Sequence, residues 1–174
     1  MTVAAALILA VAGCTPPAPE PTLTPSPAPT PVFASDEEAL AAAEKAYTVY
    51  LAMSDLIAQE GGANPERMQE VATGEALDSA VRDLRELSEG GFRVTGTTTF
   101  TFAQPEEIRR SQPPLVAVYV CDDVSEVDVL NTAGESIVSP DRPAKSPFAV
   151  RFESGSGEAL LVTQREFWEG RDFC

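Results

Sequence analysis

The chain has 174 residues, with 27 acidic side chains, 12 basic side chains, no histidine and a net charge of −15. This length suits one domain of ordinary size with appended segments. The acidic balance excludes a typical nucleic-acid binder, whose contact surface is basic, and disfavours charge-driven docking on anionic lipid. The lack of histidine excludes Ser-His-Asp and Cys-His catalysis and histidine metal sites. We therefore expect no nucleic-acid partner, no metal and no cofactor.

The start of the chain has the pattern of a targeting segment. Residues 3–13 (VAAALILAVAG) are all apolar or small. As a helix this run would rise only about 16 Å, half of a bilayer core, which is typical of a secretory signal rather than a spanning helix. The residues that end at Cys14, Val-Ala-Gly-Cys, resemble the bacterial lipobox. The resemblance implies cleavage after residue 13 and a diacylglycerol on the Cys14 thiol. An ordinary secretory signal with an incidental cysteine is the alternative.

The next segment is rich in proline. Residues 15–35 hold eight of the 15 prolines of the chain. Proline fixes φ and lacks an N–H donor, so this composition predicts an extended, semi-rigid spacer, about 60 Å long if it is polyproline II throughout. A ligand for an aromatic groove is the alternative. The predicted organisation is a signal peptide over 1–13, an acylated cysteine and linker over 14–35, and one domain over 36–174.

The domain is predicted to begin with helices. Ser35 followed by Glu38 is typical of a capping box, and apolar residues then recur at helical spacing to about Ala58. Asn64, as an N-cap before a proline, predicts a second, short helix, and a third is predicted over 74–89. The residues expected on the buried faces are Leu40, Ala43, Tyr47, Tyr50, Leu51, Ile57, Met68, Val71, Ala72, Leu77, Ala80, Val81, Leu84 and Leu87.

Strands are predicted after the helices. Alternating and fully apolar runs are typical of half-buried and central strands, respectively. The predicted strands are 92–102, 115–121, 126–130, 148–152 and 159–168, with a loop over 138–147. Gly96 predicts a bulge or bend within the first of them. Arg109 and Arg110 are expected to be an isolated pair in a loop, and Trp168 is expected to pack the final strand. The order predicts an α+β domain with helices on a curved antiparallel sheet.

Three sequence features together resemble a group of lipoproteins of high-GC Gram-positive bacteria. They are residues 71–77 (VATGEAL), residues 91–96 (GFRVTG), and residues 121–129 (CDDVSEVDV) with the final Cys174. The domains of that group are similar to the nuclear transport factor 2-like fold, also described as SnoaL-like or cystatin-like. The resemblance implies a cone in which a curved sheet wraps a long helix. It implies no particular activity, because this fold hosts isomerases, dehydratases, scaffolds and transport adaptors.

Two cysteines remain if Cys14 is acylated. Cys121 and Cys174 then form an even pair in an oxidising extracytoplasmic space, which predicts a disulfide. A catalytic thiol would lack a histidine base, and two thiols without further soft ligands make a poor zinc site.

An acidic cluster near the third predicted strand is the best candidate for catalysis. A carboxylate base with hydroxyl donors inside an apolar cone is the arrangement of the isomerases of this fold. The candidate residues are Asp122 or Asp128 as base, Tyr47, Tyr50 or Tyr119 as donor, and Arg151 as charge partner. In the alternative interpretation the acids end a strand or face water, and the tyrosines pack in the core.

The leading functional hypothesis is a lipid-anchored protein on the extracytoplasmic face of the cell membrane. The acyl group on Cys14 would attach it, and its domain would act as a non-catalytic binding module for an envelope protein or a small ligand. One alternative is a small-molecule enzyme of isomerase or hydratase type that uses the cone. The other is a scaffold that forms a homodimer through the sheet face.

Overall fold

The computed structural model describes residues 31–154, 159–170 and 173–174. The predicted signal peptide, Cys14 and most of the predicted linker lie outside these residues. No helix within the described part of the chain combines the length and the apolar character needed to cross a membrane.

The first helix, α1 (Asp36–Gln59), begins at the predicted capping box. Ser35 Oγ accepts a hydrogen bond from the Glu38 backbone N–H at 3.2 Å. The Glu38 carboxylate in turn accepts the Ala34 backbone N–H at 2.6 Å. Two backbone donors that have no partner within the helix are thereby satisfied.

The other two helical segments also lie where the sequence predicts them. A 3₁₀ helix spans Pro65–Glu70, and α2 spans Gly74–Glu89. The predicted cap role of Asn64 is wrong in one respect, because its side chain makes no capping hydrogen bond. Asn64 instead adopts a left-handed backbone with φ of 54°, a conformation that asparagine tolerates better than most residues. The left-handed backbone of Asn64 therefore helps the chain to turn between α1 and the 3₁₀ helix.

Within the described residues, six strands follow the helices and form two separate antiparallel sheets. The strands are β1 (Arg93–Thr95), β2 (Thr99–Arg109), β3 (Leu115–Asp123), β4 (Asp128–Leu130), β5 (Lys145–Ser154) and β6 (Leu160–Phe167). The larger sheet has the order β2-β3-β5-β6, and β1 pairs with β4 in the smaller sheet. The domain is thus an α+β structure whose helices pack on a four-stranded sheet that is not closed into a barrel.

Three strand predictions need correction. The predicted strand 92–102 is two strands in different sheets, because the chain turns at Gly96, whose φ is 81°. Strand β2 continues to Arg109, where a loop was expected, since its two bulges let polar residues stay paired with β3. Strand β5 begins at Lys145, inside the predicted loop, because residues 145–147 pair with the end of β3.

The core lies between the helices and one face of the larger sheet. Val116, Val118 and Val120 on β3 are almost fully buried in this core, and β3 contacts α1. Because side chains alternate along a strand, the intervening residues Ala117 and Tyr119 lie on the opposite face. We call the face that packs on the helices the inner face and the other the outer face.

The chain just before α1 is also packed on the domain. The Val32 backbone N–H donates to the Arg110 carbonyl at 2.6 Å, and Phe33 is buried. Arg110 also donates to the Ala34 carbonyl at 2.6 Å and forms an ion pair with Asp36 at 2.9 Å. The packed part of the chain therefore begins a few residues before the predicted domain boundary. Arg110 is not part of an isolated pair in a loop, because it binds the segment that precedes α1.

Candidate functional site

Among the described residues, the inner face carries a polar group formed by Tyr47, Asp122 and Arg165, which we call the buried triad. Tyr47 and Asp122 are buried, and the Arg165 side chain is 25% exposed. Asp122 follows the valines of β3 at the next inner-facing position and is 1% exposed. Tyr47 is fully buried in the middle of α1. Asp122 is the one charged residue among the buried side chains of the described chain.

The three side chains satisfy one another. The Tyr47 hydroxyl donates to the Asp122 carboxylate, 3.0 Å from Oδ1 and 2.9 Å from Oδ2. A terminal guanidinium nitrogen of Arg165 donates to Asp122 Oδ2 at 2.6 Å, and Arg165 Nε donates to the Tyr47 hydroxyl oxygen at 3.0 Å. The Asp122 carboxylate is therefore bonded to Tyr47 from α1 and to Arg165 from β6.

Arg165 was not predicted for this site, and a bulge explains why it is there. Arg151 pairs with Gln164, but the next residue, Phe152, pairs with Val162, so Thr163 has no partner. A bulge of this kind reverses the alternation of side chains. Arg165 pairs with Val150 and so points to the inner face. Simple alternation of side chains along β6 does not reveal this bulge.

Aromatic rings enclose the buried triad. The Tyr47 ring stacks on Tyr50, with centroids 5.8 Å apart, and meets Phe100 and Phe152 edge to face at 4.9 and 6.0 Å. The Arg165 guanidinium carbon lies 3.5 Å from the centre of the Phe148 ring, which is a cation–π contact. The predicted aromatic donors Tyr47 and Tyr50 thus belong to the packed core.

Burial and charge set the protonation of the buried triad. Burial raises the pKa of Tyr47 well above its usual value of 10.0, so the phenol stays neutral over the physiological range. Burial alone would lower the pKa of Arg165, but interactions with Tyr47 and Asp122 outweigh it and raise that pKa. The guanidinium therefore stays charged beside the carboxylate.

This arrangement suits a structural role better than acid–base catalysis. A general base must come within hydrogen-bond reach of the proton that it removes. Asp122 is closed off from solvent, and its two oxygens are engaged by Tyr47 and Arg165. What the buried triad does is fasten α1 to strands β3 and β6.

The other predicted catalytic residues lie elsewhere, and their assignment to one pocket is wrong. Asp128 is in β4, where Oδ1 accepts the Val129 N–H at 2.8 Å and the Ser136 hydroxyl at 2.6 Å. Its role is to hold the turn that follows β4.

Tyr119 and Arg151 lie on the outer face. The Tyr119 hydroxyl donates to Glu106 at 3.1 Å, and its ring packs on Trp168 with centroids 4.8 Å apart. Arg151 is opposite Ala117 in the sheet and 3.9 Å from Glu107, so it is not the charge partner of Asp122. The alternation of apolar and polar residues along β5 already predicts this outward position for Arg151.

The two cysteines of the domain meet on the outer face. Cys121 and Cys174 have Cα atoms 5.5 Å apart and sulfur atoms within bonding distance. Phe173 packs on Tyr119, with ring centroids 5.5 Å apart. The disulfide therefore holds the end of the chain against β3. Within the described ranges, no group of three or more Cys, Asp or Glu side chains could hold a metal ion.

Comparisons with known proteins give structural neighbours only. No family model matches the chain, and no curated protein matches it. The chain is similar to the intermembrane space region of the chloroplast protein ARC6, with 14% identity and a TM-score of 0.48, over 72% of this chain and 92% of that chain. It is also similar to a protein from Catenulispora acidiphila solved at 2.5 Å, with 16% identity and a TM-score of 0.43, over 75% of this chain and 93% of that one.

Proposed function

We propose that this chain is a lipid-anchored protein of the bacterial cell envelope that displays a non-catalytic binding domain. The acyl group on Cys14 attaches it to the extracytoplasmic face of the membrane, and the proline-rich segment spaces the domain from the lipid. The lipobox-like residues before Cys14 support the anchor. The bonded pair of Cys121 and Cys174 supports the compartment, because disulfides persist in oxidising spaces.

The burial of Asp122 and its hydrogen bonds within the buried triad support the non-catalytic part of this proposal. Asp122 is 1% exposed, and protein groups engage both of its oxygens. A catalytic carboxylate in an apolar cone needs a path for substrate and an orientation toward it. The bonds to Tyr47 and Arg165 instead use the carboxylate to join three elements.

The finer fold assignment is also a proposal. We infer that the domain has the nuclear transport factor 2-like arrangement of a long helix against a wrapped sheet. The position of α1 supports it, since this helix contacts β2, β3 and β6 on the inner face. A crystal structure of the domain would test it by showing whether the sheet curves around α1.

Metabolic labelling tests the anchor. The full chain would be expressed in a bacterium that processes lipoproteins, in medium with an alkyne-bearing palmitate. We expect label on the wild-type chain and its recovery in the membrane fraction. The Cys14→Ser variant should carry no label and leave that fraction.

A matched control separates the anchor from the other cysteines. The double variant Cys121→Ser/Cys174→Ser lacks the domain thiols but keeps Cys14, so it should retain the label. Wild-type protein without label, or labelled Cys14→Ser protein, would contradict the proposal.

A further inference from the structure

The outer face of the larger sheet has a hollow of about 250 Å³, which we call the outer hollow. Its floor includes Ala117 on β3 and Ala149 on β5, and its walls include Glu106, Glu166 and Trp168. None of these residues belongs to the buried triad, which lies on the inner face.

The outer hollow exists because two central strands carry alanine where their neighbours carry long side chains. Ala149 is opposite Tyr119 in β3 and Glu166 in β6, and Ala117 is opposite Arg151 and Glu107. The short methyl groups leave a depression between these longer residues. A larger side chain at either alanine would fill it.

The lining of the outer hollow includes two carboxylates, Glu106 from β2 and Glu166 from β6, and the indole of Trp168. Glu106 is oriented by the hydrogen bond that it accepts from the Tyr119 hydroxyl at 3.1 Å. Glu166 is an exposed residue of the edge strand β6. The one basic residue in the lining, Arg151, lies 3.9 Å from Glu107, which partly balances its charge.

Trp168 is held in place at the rim. Its backbone N–H donates to the Pro147 carbonyl at 2.9 Å, and its ring packs on Tyr119 with centroids 4.8 Å apart. A fixed aromatic wall loses little conformational entropy when a ligand binds. Indole rings attract organic cations, and carboxylates accept strong hydrogen bonds from ammonium groups.

We propose that the outer hollow binds a small protonated organic amine, with its ammonium group at Glu166 on the edge strand β6 and its carbon chain against Trp168 and the alanine floor. This assignment rests on the proposed function of the domain as a binding module and names its ligand class. The net charge of −15 favours the same class, because it concentrates cations near the surface. The volume suits a molecule of amino-acid size.

The chain offers a built-in probe for the test, since Trp168 is its one tryptophan. The full chain in non-ionic detergent would be titrated with pentylamine, and tryptophan fluorescence would be followed. Pentanol and pentanoate, which share the carbon chain, serve as neutral and anionic counterparts. We expect a saturable change with pentylamine at least tenfold tighter than with the other two, and weaker at high salt.

Three variants locate the site. Ala149→Leu fills the floor and Glu166→Gln removes a carboxylate at the surface, so each should weaken pentylamine binding at least tenfold. Glu166→Gln also keeps the test decisive if the filled floor impairs folding. Glu153→Gln is the matched control, because it removes a carboxylate two residues from Arg151 on β5, outside the lining, and should leave binding unchanged.

Several results would overturn the proposal. Equal binding of pentylamine and pentanol would mean apolar recognition alone, and tighter binding of pentanoate would mean an anion site at Arg151. Pentylamine binding that survives both Ala149→Leu and Glu166→Gln would place the amine elsewhere. If the protein binds no amine but Cys14 is acylated, this ligand class is rejected, while the proposal of a lipid-anchored protein stands.

Discussion

The Tyr47 hydroxyl and the Asp122 carboxylate are 75 positions apart in the chain and form a buried hydrogen bond of 2.9 to 3.0 Å. Helix α1 and strand β3 are joined by this contact, and Arg165 adds β6 to it. Unpaired buried charges are costly, so the three groups depend on one another. The most polar point of the core is therefore expected to control stability rather than chemistry.

The first prediction concerns removal of one member of the buried triad. Asp122→Asn removes the charge opposite Arg165 and should lower the free energy of unfolding by about 3 kcal/mol or more. Tyr47→Phe keeps the ion pair but removes one hydrogen bond to the carboxylate, and should cost about 1–3 kcal/mol. Urea unfolding with the disulfide intact measures both.

The coupling between the charges provides the control for that prediction. If the ion pair matters as such, Arg165→Met and Asp122→Leu together should cost at least about 1 kcal/mol less than the sum of the two single changes. Additive losses, or an Asp122→Asn protein as stable as the wild type, would show that the buried triad is not a unit.

The second prediction is a pH dependence. Burial raises the pKa of Tyr47 above 10.0, its value in the unfolded chain. Above that pH the unfolded chain loses a proton that the folded chain keeps, so stability should fall as pH rises beyond about 10. Below pH 10 both states hold the proton and Tyr47 gives no slope.

Ultraviolet absorbance of tyrosinate and urea midpoints together check this. Tyr47→Phe should show the same ionisation as the wild type at pH 10 to 11, because Tyr47 stays neutral there, and should have a shallower loss of stability. A wild-type protein in which Tyr47 ionises with an ordinary pKa before unfolding would contradict the closed environment described above.

The third prediction concerns the bend between β1 and β2. A Cβ atom built on Gly96 would lie 1.8 Å from the Glu126 carbonyl oxygen, and the residue has φ of 81°. Gly96→Ala should therefore destabilise the domain by about 2–4 kcal/mol, from both backbone strain and overlap. Gly134, with φ of 79° and no atom within 4 Å of its Cβ position, is the matched control.

Gly134→Ala should cost only about 1 kcal/mol, because only the backbone conformation opposes it. Thermal unfolding of the two variants gives the comparison. Equal losses would mean that the close approach of Gly96 to Glu126 is not maintained in solution.

The fourth prediction concerns the disulfide. The bond between Cys121 and Cys174 closes a loop across 53 positions of sequence. A disulfide reduces the conformational entropy of the unfolded chain. Removing one that closes a loop of this size should therefore lower the free energy of unfolding by about 4 kcal/mol. The double variant Cys121→Ser/Cys174→Ser should show this loss in urea, whereas Cys14→Ser should show none. Equal stability of all three proteins would indicate that the chain end contributes nothing.

The helices and the central strand could be predicted because their signals are local. The capping box at Ser35 and the apolar run of β3 depend on neighbours within a few residues, and the structure confirms both. The separate pairing of β1 with β4 depends on contacts between distant segments. Periodicity carries no information on such pairing, so one continuous strand was predicted where two exist.

Two of the three members of the buried triad could be predicted from the sequence, but the third could not. Asp122 and Tyr47 were singled out as acid and hydroxyl, and the structure brings them together. Arg151 is the predicted charge partner, but the alternation of β5 places it on the outer face, opposite Ala117. Arg165 takes that place because the bulge at Thr163, which simple alternation along β6 does not reveal, turns it to the inner face.

The mass of the mature N-terminal peptide is the most direct test of the anchored display that we propose. The protein would be extracted from bacterial membranes, digested and examined by mass spectrometry. We predict that Cys14 is the first residue and that its thiol carries a diacylglycerol. A mature chain that begins at any other residue, or at an unmodified Cys14, would contradict the account.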